Sequence, residues 1–251
     1  MTPTRVAVVV AAWLAVLGAA GGLTVALLAA GHDPKPILDY DAGQLVSSVP
    51  VEPAPDAAPG RSGTAPGVDP GWVERTASAT GLPPPAIRAY ATASLRLSVD
   101  QPSCGLGWST LAGIGEVESE HGTVGGRTLL ADGHPSQPII GPALDGQGPV
   151  ARIRATGAGT ELHRDPTWDH AVGPLQFLPS TWAQWRSDGD GDGVADPQDL
   201  DDAAYAAARY LCAGGGDLTK GPDWAAAVFS YNHAASYVEA VYAAALRLSA
   251  G

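Results

Sequence analysis

Two stretches of the sequence carry side chains spaced for chemistry. The first, Asp188-Gly-Asp-Gly-Asp-Gly-Val-Ala-Asp-Pro-Gln-Asp199, has the register of a twelve-position EF-hand calcium loop. Asp188, Asp190 and Asp192 take positions one, three and five, Gly193 supplies the sharp turn at six, and Val194 offers its carbonyl at seven. Asp196 falls at nine, where ligation often runs through water, and Asp199 at twelve replaces the usual Glu. Its shorter arm should weaken calcium or favour the smaller Mg²⁺. Seven carboxylates lie between Asp188 and Asp202 and repel one another unless a cation intervenes. A single loop without a partner hand argues for a structural ion, and so many carboxylates leave a metal little room for substrate.

The second stretch, Trp108-Ser-Thr-Leu-Ala-Gly-Ile-Gly-Glu-Val-Glu-Ser-Glu-His-Gly122, holds three glutamates. At helical spacing Glu118 follows Leu111 by seven, Ile114 by four and Gly115 by three, so it projects from the apolar stripe. Glu116 and Glu120 share a different face with Ala112. A carboxyl on a desolvated wall has its charged form disfavoured and its pKa raised, which suits a general acid near neutrality. The competing assignment is a buried glutamate tied up in a structural hydrogen bond or ion pair. Gly113, Gly115 and Gly122 are poor helix formers, and their worth would be to let another chain approach closely.

Weaker signals follow downstream. Gln176 sits between Leu175 and Phe177, an apolar setting in which an amide needs defined partners: a sugar hydroxyl or amide, or the loop's own backbone. Asn232, the only asparagine in the chain, stands between two helices beside Tyr231. An asparagine there is equally a helix cap, and Tyr231 a core aromatic.

These groups need a scaffold, and the text from residue 71 onward reads as helices. The pattern predicts them at 72–80, 85–99, 108–121, 179–187, 201–213, 222–231 and 236–250, with no alternating strand pattern beyond a short stretch at 138–140. Residues 122–169 are glycine-rich and irregular; a loop that long inside a domain is more often functional than idle. Cys104 and Cys212 would form a disulfide in an exported domain, closing a loop worth about 4–5 kcal/mol of chain entropy.

Upstream, residues 6–30 are 25 consecutive uncharged positions, enough to cross about 30 Å of hydrocarbon as a helix. A transmembrane signal-anchor (or signal peptide) is therefore expected over 1–31. Arg5 and the amino terminus would stay in the cytoplasm and the rest of the chain outside. Residues 32–70 hold eight of the 22 prolines and few large apolar side chains, so an extended extracytoplasmic linker is expected there. The chain has 26 acidic against 14 basic residues, a formal charge of -12, which argues against nucleic acid and against polybasic lipid attachment.

Taken together, the motifs resemble the membrane-bound lytic murein transglycosylase B family of actinobacterial type. The resemblance spans about residues 71–250. It rests on Cys104-Gly-Leu-Gly-Trp108, Ile114-Gly-Glu-Val-Glu-Ser-Glu-His-Gly122, Ala171-Val-Gly-Pro-Leu-Gln-Phe-Leu-Pro-Ser-Thr-Trp182, the calcium-type loop and Ser230-Tyr-Asn-His233. It implies a mainly α, lysozyme-like helical domain over 71–251 with an embedded EF-hand-type loop at 188–199. It also implies an enzyme that cleaves the β-1,4 bond between MurNAc and GlcNAc of peptidoglycan and leaves 1,6-anhydroMurNAc ends. Glu118 would act as acid and then base, and Ser119, Gln176, Tyr231 and Asn232 would bind or position the strand. Structural Ca²⁺ is the expected ion, with no organic cofactor. The expected partners are peptidoglycan strands and the cytoplasmic membrane. A muramidase-type hydrolase and a non-catalytic, calcium-stabilised wall binder remain the alternatives. Glu116 stands where the family more often has a neutral or basic residue and would raise the Glu118 pKa further if the two approach.

Overall fold

Helix boundaries in this chain follow its prolines, glycines and aspartates. The structure, a computed structural model, describes residues 40–47, 50–55, 67–148 and 150–250. Among them run α1 (Ala42–Ser47), α2 (Pro70–Thr80), α3 (Pro84–Asp100), α4 (Trp108–Ser119), α5 (Gly157–His163), α6 (Pro179–Trp185), α7 (Leu200–Cys212), α8 (Gly221–Tyr231) and α9 (Ala235–Ser249). Prolines open α2, α3, α6 and α8 at positions that have no intrahelical donor to lose. Asp69 caps α2 by accepting the Trp72 N–H at 2.7 Å, and Asp199 caps α7 by accepting that of Asp201. The pairings outside the helices are isolated bridges, including Ile140 with Val172 where a strand was expected.

Two helix pairs hold the core: α4 packs on α9 and α3 on α7. Small residues make both approaches close. On α7, Ala203, Ala204, Ala206, Ala207 and Ala208 are fully buried, opposite a helix that buries Ala86, Ala89 and Ala93. On α4, a Cβ at Gly113 would stand 2.7 Å from the Val241 carbonyl oxygen of α9, and one at Gly115 would collide with the Tyr90 hydroxyl at 1.9 Å. The glycines of α4 thus admit this protein's own α9 and Tyr90. The Cys104–Cys212 disulfide, with Cα atoms 5.7 Å apart, ties the approach to α4 to the end of α7.

The extended linker expected over 32–70 is not what its described residues form. Ala42 and Leu45, one turn apart on α1, are buried in the core, and Leu45 accepts the Ser109 hydroxyl at 2.8 Å. Tyr40 packs its ring 4.7 Å from that of Tyr242 and 5.4 Å from Trp224. Pro53 pairs with Val68. A few apolar anchors suffice to lay this proline-rich chain on the domain. The span expected at 6–30 lies outside the described residues; no described helix is long and apolar enough to cross a membrane.

Candidate active site and acidic loop

The end of α4 puts Glu118 at a partly open position against the start of α9. Tyr237 donates its hydroxyl to Glu118 Oε1 at 2.7 Å. Dense protein around the carboxyl disfavours its charge and pushes it up to about 8, with the Tyr237 hydrogen bond pulling the other way. The expected help from Glu116 is absent. Glu116 faces elsewhere, accepting Arg247 Nη2 on both oxygens, and takes no part in raising Glu118.

Past Glu118 the backbone reverses through three left-handed residues, Glu120 (φ 53), His121 (φ 60) and Gly122 (φ 86). Two of them carry side chains, a conformation that costs about 1–3 kcal/mol each and persists only where surrounding contacts fix it. Ser119 supplies two of those contacts: its hydroxyl donates to the Pro174 carbonyl at 2.5 Å and accepts the Gly122 N–H at 2.8 Å. His121 supplies a third, its Nδ1 lying 3.3 Å from the Tyr90 hydroxyl. Burial holds the His121 pKa down to about 4, so the ring is neutral at pH 7. Ser119 is 1% exposed, and its hydroxyl is committed to the Pro174 carbonyl and the Gly122 N–H.

That turn docks on the 171–182 motif. Val172 and Phe177 exchange backbone hydrogen bonds across a tight reversal, with Gln176 at φ 47. Gly173 is obligatory there, since a Cβ would meet the Pro197 carbonyl oxygen at 1.7 Å. Gln176 donates its amide to the Gly173 carbonyl at 2.7 Å, while its own buried Oε1 has no hydrogen-bond partner among the described residues. The loop half of the Gln176 alternatives is therefore real, and one acceptor is left over. Tyr231 donates to the Leu175 carbonyl at 2.8 Å, its ring lies parallel to that of Tyr237, and with Gln176 and Phe177 it lines a cavity of about 20 Å³. Asn232 follows, buried, at the end of α8. Contacts thus run unbroken from Glu118 through Tyr237 and Tyr231 to Leu175 and Gln176. Tyr237 was missed in the sequence, where it reads as one more apolar position at the start of α9 beside Val238 and Val241. Only the packing of α9 on α4 shows its task.

The acidic loop closes differently from the twelve-position template. Asp188 accepts the Gly191 and Gly193 N–H groups at 2.6 and 3.0 Å, Asp190 that of Asp192 at 3.0 Å, Asp192 that of Val194 at 2.7 Å, and Asp196 that of Gln198 at 2.8 Å. Carboxylate oxygens of Asp188, Asp190 and Asp202 gather within 4.8 Å of one another. Asp199 is not in that group. It caps α7 and stands 3.7 Å from His134, while Val194 is exposed. The displacement has a local cause. Gln198 clamps the backbone of Ile139 from both sides, at 2.9 and 3.0 Å, and so turns Asp199 into the helix start. Asp202, three residues on, instead reaches back to the Gly189 and Asp196 N–H groups at 2.6 and 2.8 Å. A carboxylate-only donor set suits a hard cation such as Ca²⁺ or Mg²⁺ and is foreign to zinc or copper. Sequence held a signal for this: Asp199-Leu-Asp-Asp202 reads as a cap with acidic residues in the first helical turn.

Residues 153–228 match the family model described as the transglycosylase SLT domain. That span includes the Gln176 motif and the whole acidic loop; Glu118, Tyr231 and Asn232 lie outside it. Among curated proteins, none matches the chain. Two solved structures of the Escherichia coli lytic transglycosylase SLT35 are similar at 16% identity. The one in complex with bulgecin A has 77% of its chain covered by 70% of this one, with a TM-score of 0.42, and the one in complex with calcium has 78% covered by 70%, with a TM-score of 0.43. A likeness at that level decides nothing about the site.

Proposed function

We propose that this protein is a peptidoglycan lytic transglycosylase in which one carboxyl, Glu118, serves as acid and then base. The observation that carries the reading is the isolation of that carboxyl. Tyr237 holds it by a hydrogen bond at 2.7 Å, and it forms no ion pair with any described residue. Burial raises its pKa to about 8, with Tyr237 pulling it down and no second described carboxylate acting on it. Hydrolytic glycosidases ordinarily need a partner carboxylate to activate water or attack the sugar. A lone, largely protonated carboxyl fits a reaction whose nucleophile is already on the substrate. The transglycosylase SLT match over 153–228 supports the same class.

In that reaction Glu118 gives its proton to the glycosidic oxygen as the MurNAc C1–O bond breaks. The resulting carboxylate, aided by the substrate's acetamido group, takes the proton from the C6 hydroxyl while its oxygen bonds to C1. A 1,6-anhydro ring forms, Glu118 is protonated again, and no water is consumed. Tyr237 stabilises the transient carboxylate through its hydrogen bond, and the unpartnered Gln176 Oε1 is offered to a donor on the strand. Tyr231 and Asn232 would border the same cleft, and Ser119 would hold the turn beneath it. The acidic loop would take a structural Ca²⁺ or Mg²⁺ on Asp188, Asp190 and Asp202. The domain would act outside the cytoplasmic membrane. Incubating the protein with purified sacculi tests the reading: 1,6-anhydromuropeptides by mass support it, whereas reducing muramyl ends make it a hydrolase.

A further inference from the structure

Arg152 and Arg154 are two residues apart on a stretch that pairs Asp145 with Arg152 and Arg154 with Trp168, so their side chains leave on one face. Both guanidinium groups lie over the Trp168 ring, 5.3 and 4.1 Å from its centroid. Both arginines are exposed, and neither makes an ion pair or side-chain hydrogen bond with any described residue. In a chain of formal charge -12, two cations left without a carboxylate on one indole stand apart from their surroundings. A cation–π contact restrains each guanidinium without using its N–H groups, which can grip a carboxylate bidentately at little further cost in side-chain order.

The platform beneath is rigid. Asp169, next to Trp168, turns inward to His163 at 2.8 Å with both side chains almost wholly buried, and His170 Nδ1 sits 2.7 Å from the Gly141 carbonyl oxygen. The same stretch of chain continues to the Gln176 motif: Trp168 precedes Val172 by four residues, about 13 Å of extended chain, and Val172 pairs with Phe177 beside Gln176. A tri- or tetrapeptide, extended, spans about 10–14 Å.

We propose that Arg152, Arg154 and Trp168 form a docking surface for the stem-peptide carboxylates of the strand held in the cleft. The inference rests on the peptidoglycan reading of that cleft, and its test separates the two. Binding of the full chain is measured on intact sacculi, on glycan strands stripped of peptide by an amidase, on sacculi with carbodiimide-amidated carboxylates, and on sacculi freed of phosphodiester-linked polymers by hydrofluoric acid. Wild type should bind intact and acid-treated sacculi alike and the other two about tenfold more weakly, equivalent to ~1.4 kcal/mol. Arg152→Gln with Arg154→Gln should lose the same tenfold on intact sacculi and nothing on stripped strands. The double lysine variant, which keeps charge without the fork, should fall between. Equal wild-type binding to stripped and intact strands overturns the proposal, as does loss of the arginine-dependent share after acid treatment, which would make phosphate the ligand. Wild type that shows the arginine dependence yet releases no anhydro product defeats the cleft reading and leaves the docking surface standing.

Discussion

The two acidic regions of this molecule handle negative charge in opposite ways. At the end of α4 one carboxyl stands alone, and packing keeps it protonated up to about pH 8. At the start of α7 many carboxylates crowd one loop, held by backbone N–H groups from Gly189, Gly191, Gly193 and Asp196, with three converging as a cation would require. Burying a charge is costly unless it is neutralised or paired. In our reading a proton does that at Glu118, where the charge must come and go, and a metal does it in the loop. On that reading the first solution serves chemistry and the second structure.

The contrast breaks most visibly at Glu118. Glu118→Gln should cut anhydromuropeptide release by about 10³-fold or more, near the upper range for a general acid. Stability should move the other way. The folded pKa, about 8, exceeds the ordinary value of 4.5, so the folded protein holds an extra proton between those limits and loses stability as pH rises through them. Glutamine removes that penalty. Its melting temperature should exceed the wild type's at pH 9 and match it at pH 4, followed by circular dichroism. Equal melting curves at pH 9 would deny that the carboxyl is desolvated.

The loop should respond to chelator instead. An ion at a hundred times its Kd stabilises by about 2.7 kcal/mol, or about 5–10 °C for a domain of this size. Excess EDTA should lower the wild-type melting temperature by that much. Asp202→Asn should abolish the shift, whereas Asp199→Asn should keep it, because asparagine caps a helix as well as aspartate does. A chelator shift lost in the Asp199 variant and kept in the Asp202 variant would restore the twelve-position loop.

These two regions were legible in the sequence to different depths. Sequence pattern placed seven of the nine described α-helices and singled out Glu118, because a carboxylate on an apolar stripe is a local pattern. The disulfide followed from cysteine count and the expected export of the domain. What escaped depends on contacts distant in sequence. Tyr237 reaches Glu118 only because Gly113 lets α9 close on α4. Asp199 is drawn out of the loop by Gln198 gripping Ile139, and Leu45 anchors α1 in a proline-rich stretch that composition alone assigns to solvent. The Ser119 hydroxyl is likewise held by a distant partner, the Pro174 carbonyl, which no local pattern announces.

The finest test sets two neighbours of the acid against each other. Tyr237 donates to the carboxylate form, so Tyr237→Phe should raise the Glu118 pKa further. The alkaline limb of kcat should shift upward by about one unit, and kcat at pH 7 should drop about tenfold, in line with the ~1.5–3 kcal/mol of a hydrogen bond to a charged group. Glu116 is two residues from Glu118 but on another face and paired with Arg247. Glu116→Gln should therefore leave the limb where it is and cost at most ~1 kcal/mol, as for an exposed ion pair. If Glu116→Gln instead lowered the limb, repulsion between the two glutamates would be setting the acid's pKa. Proximity in sequence would then count for more than the separation of helix faces that α4 imposes.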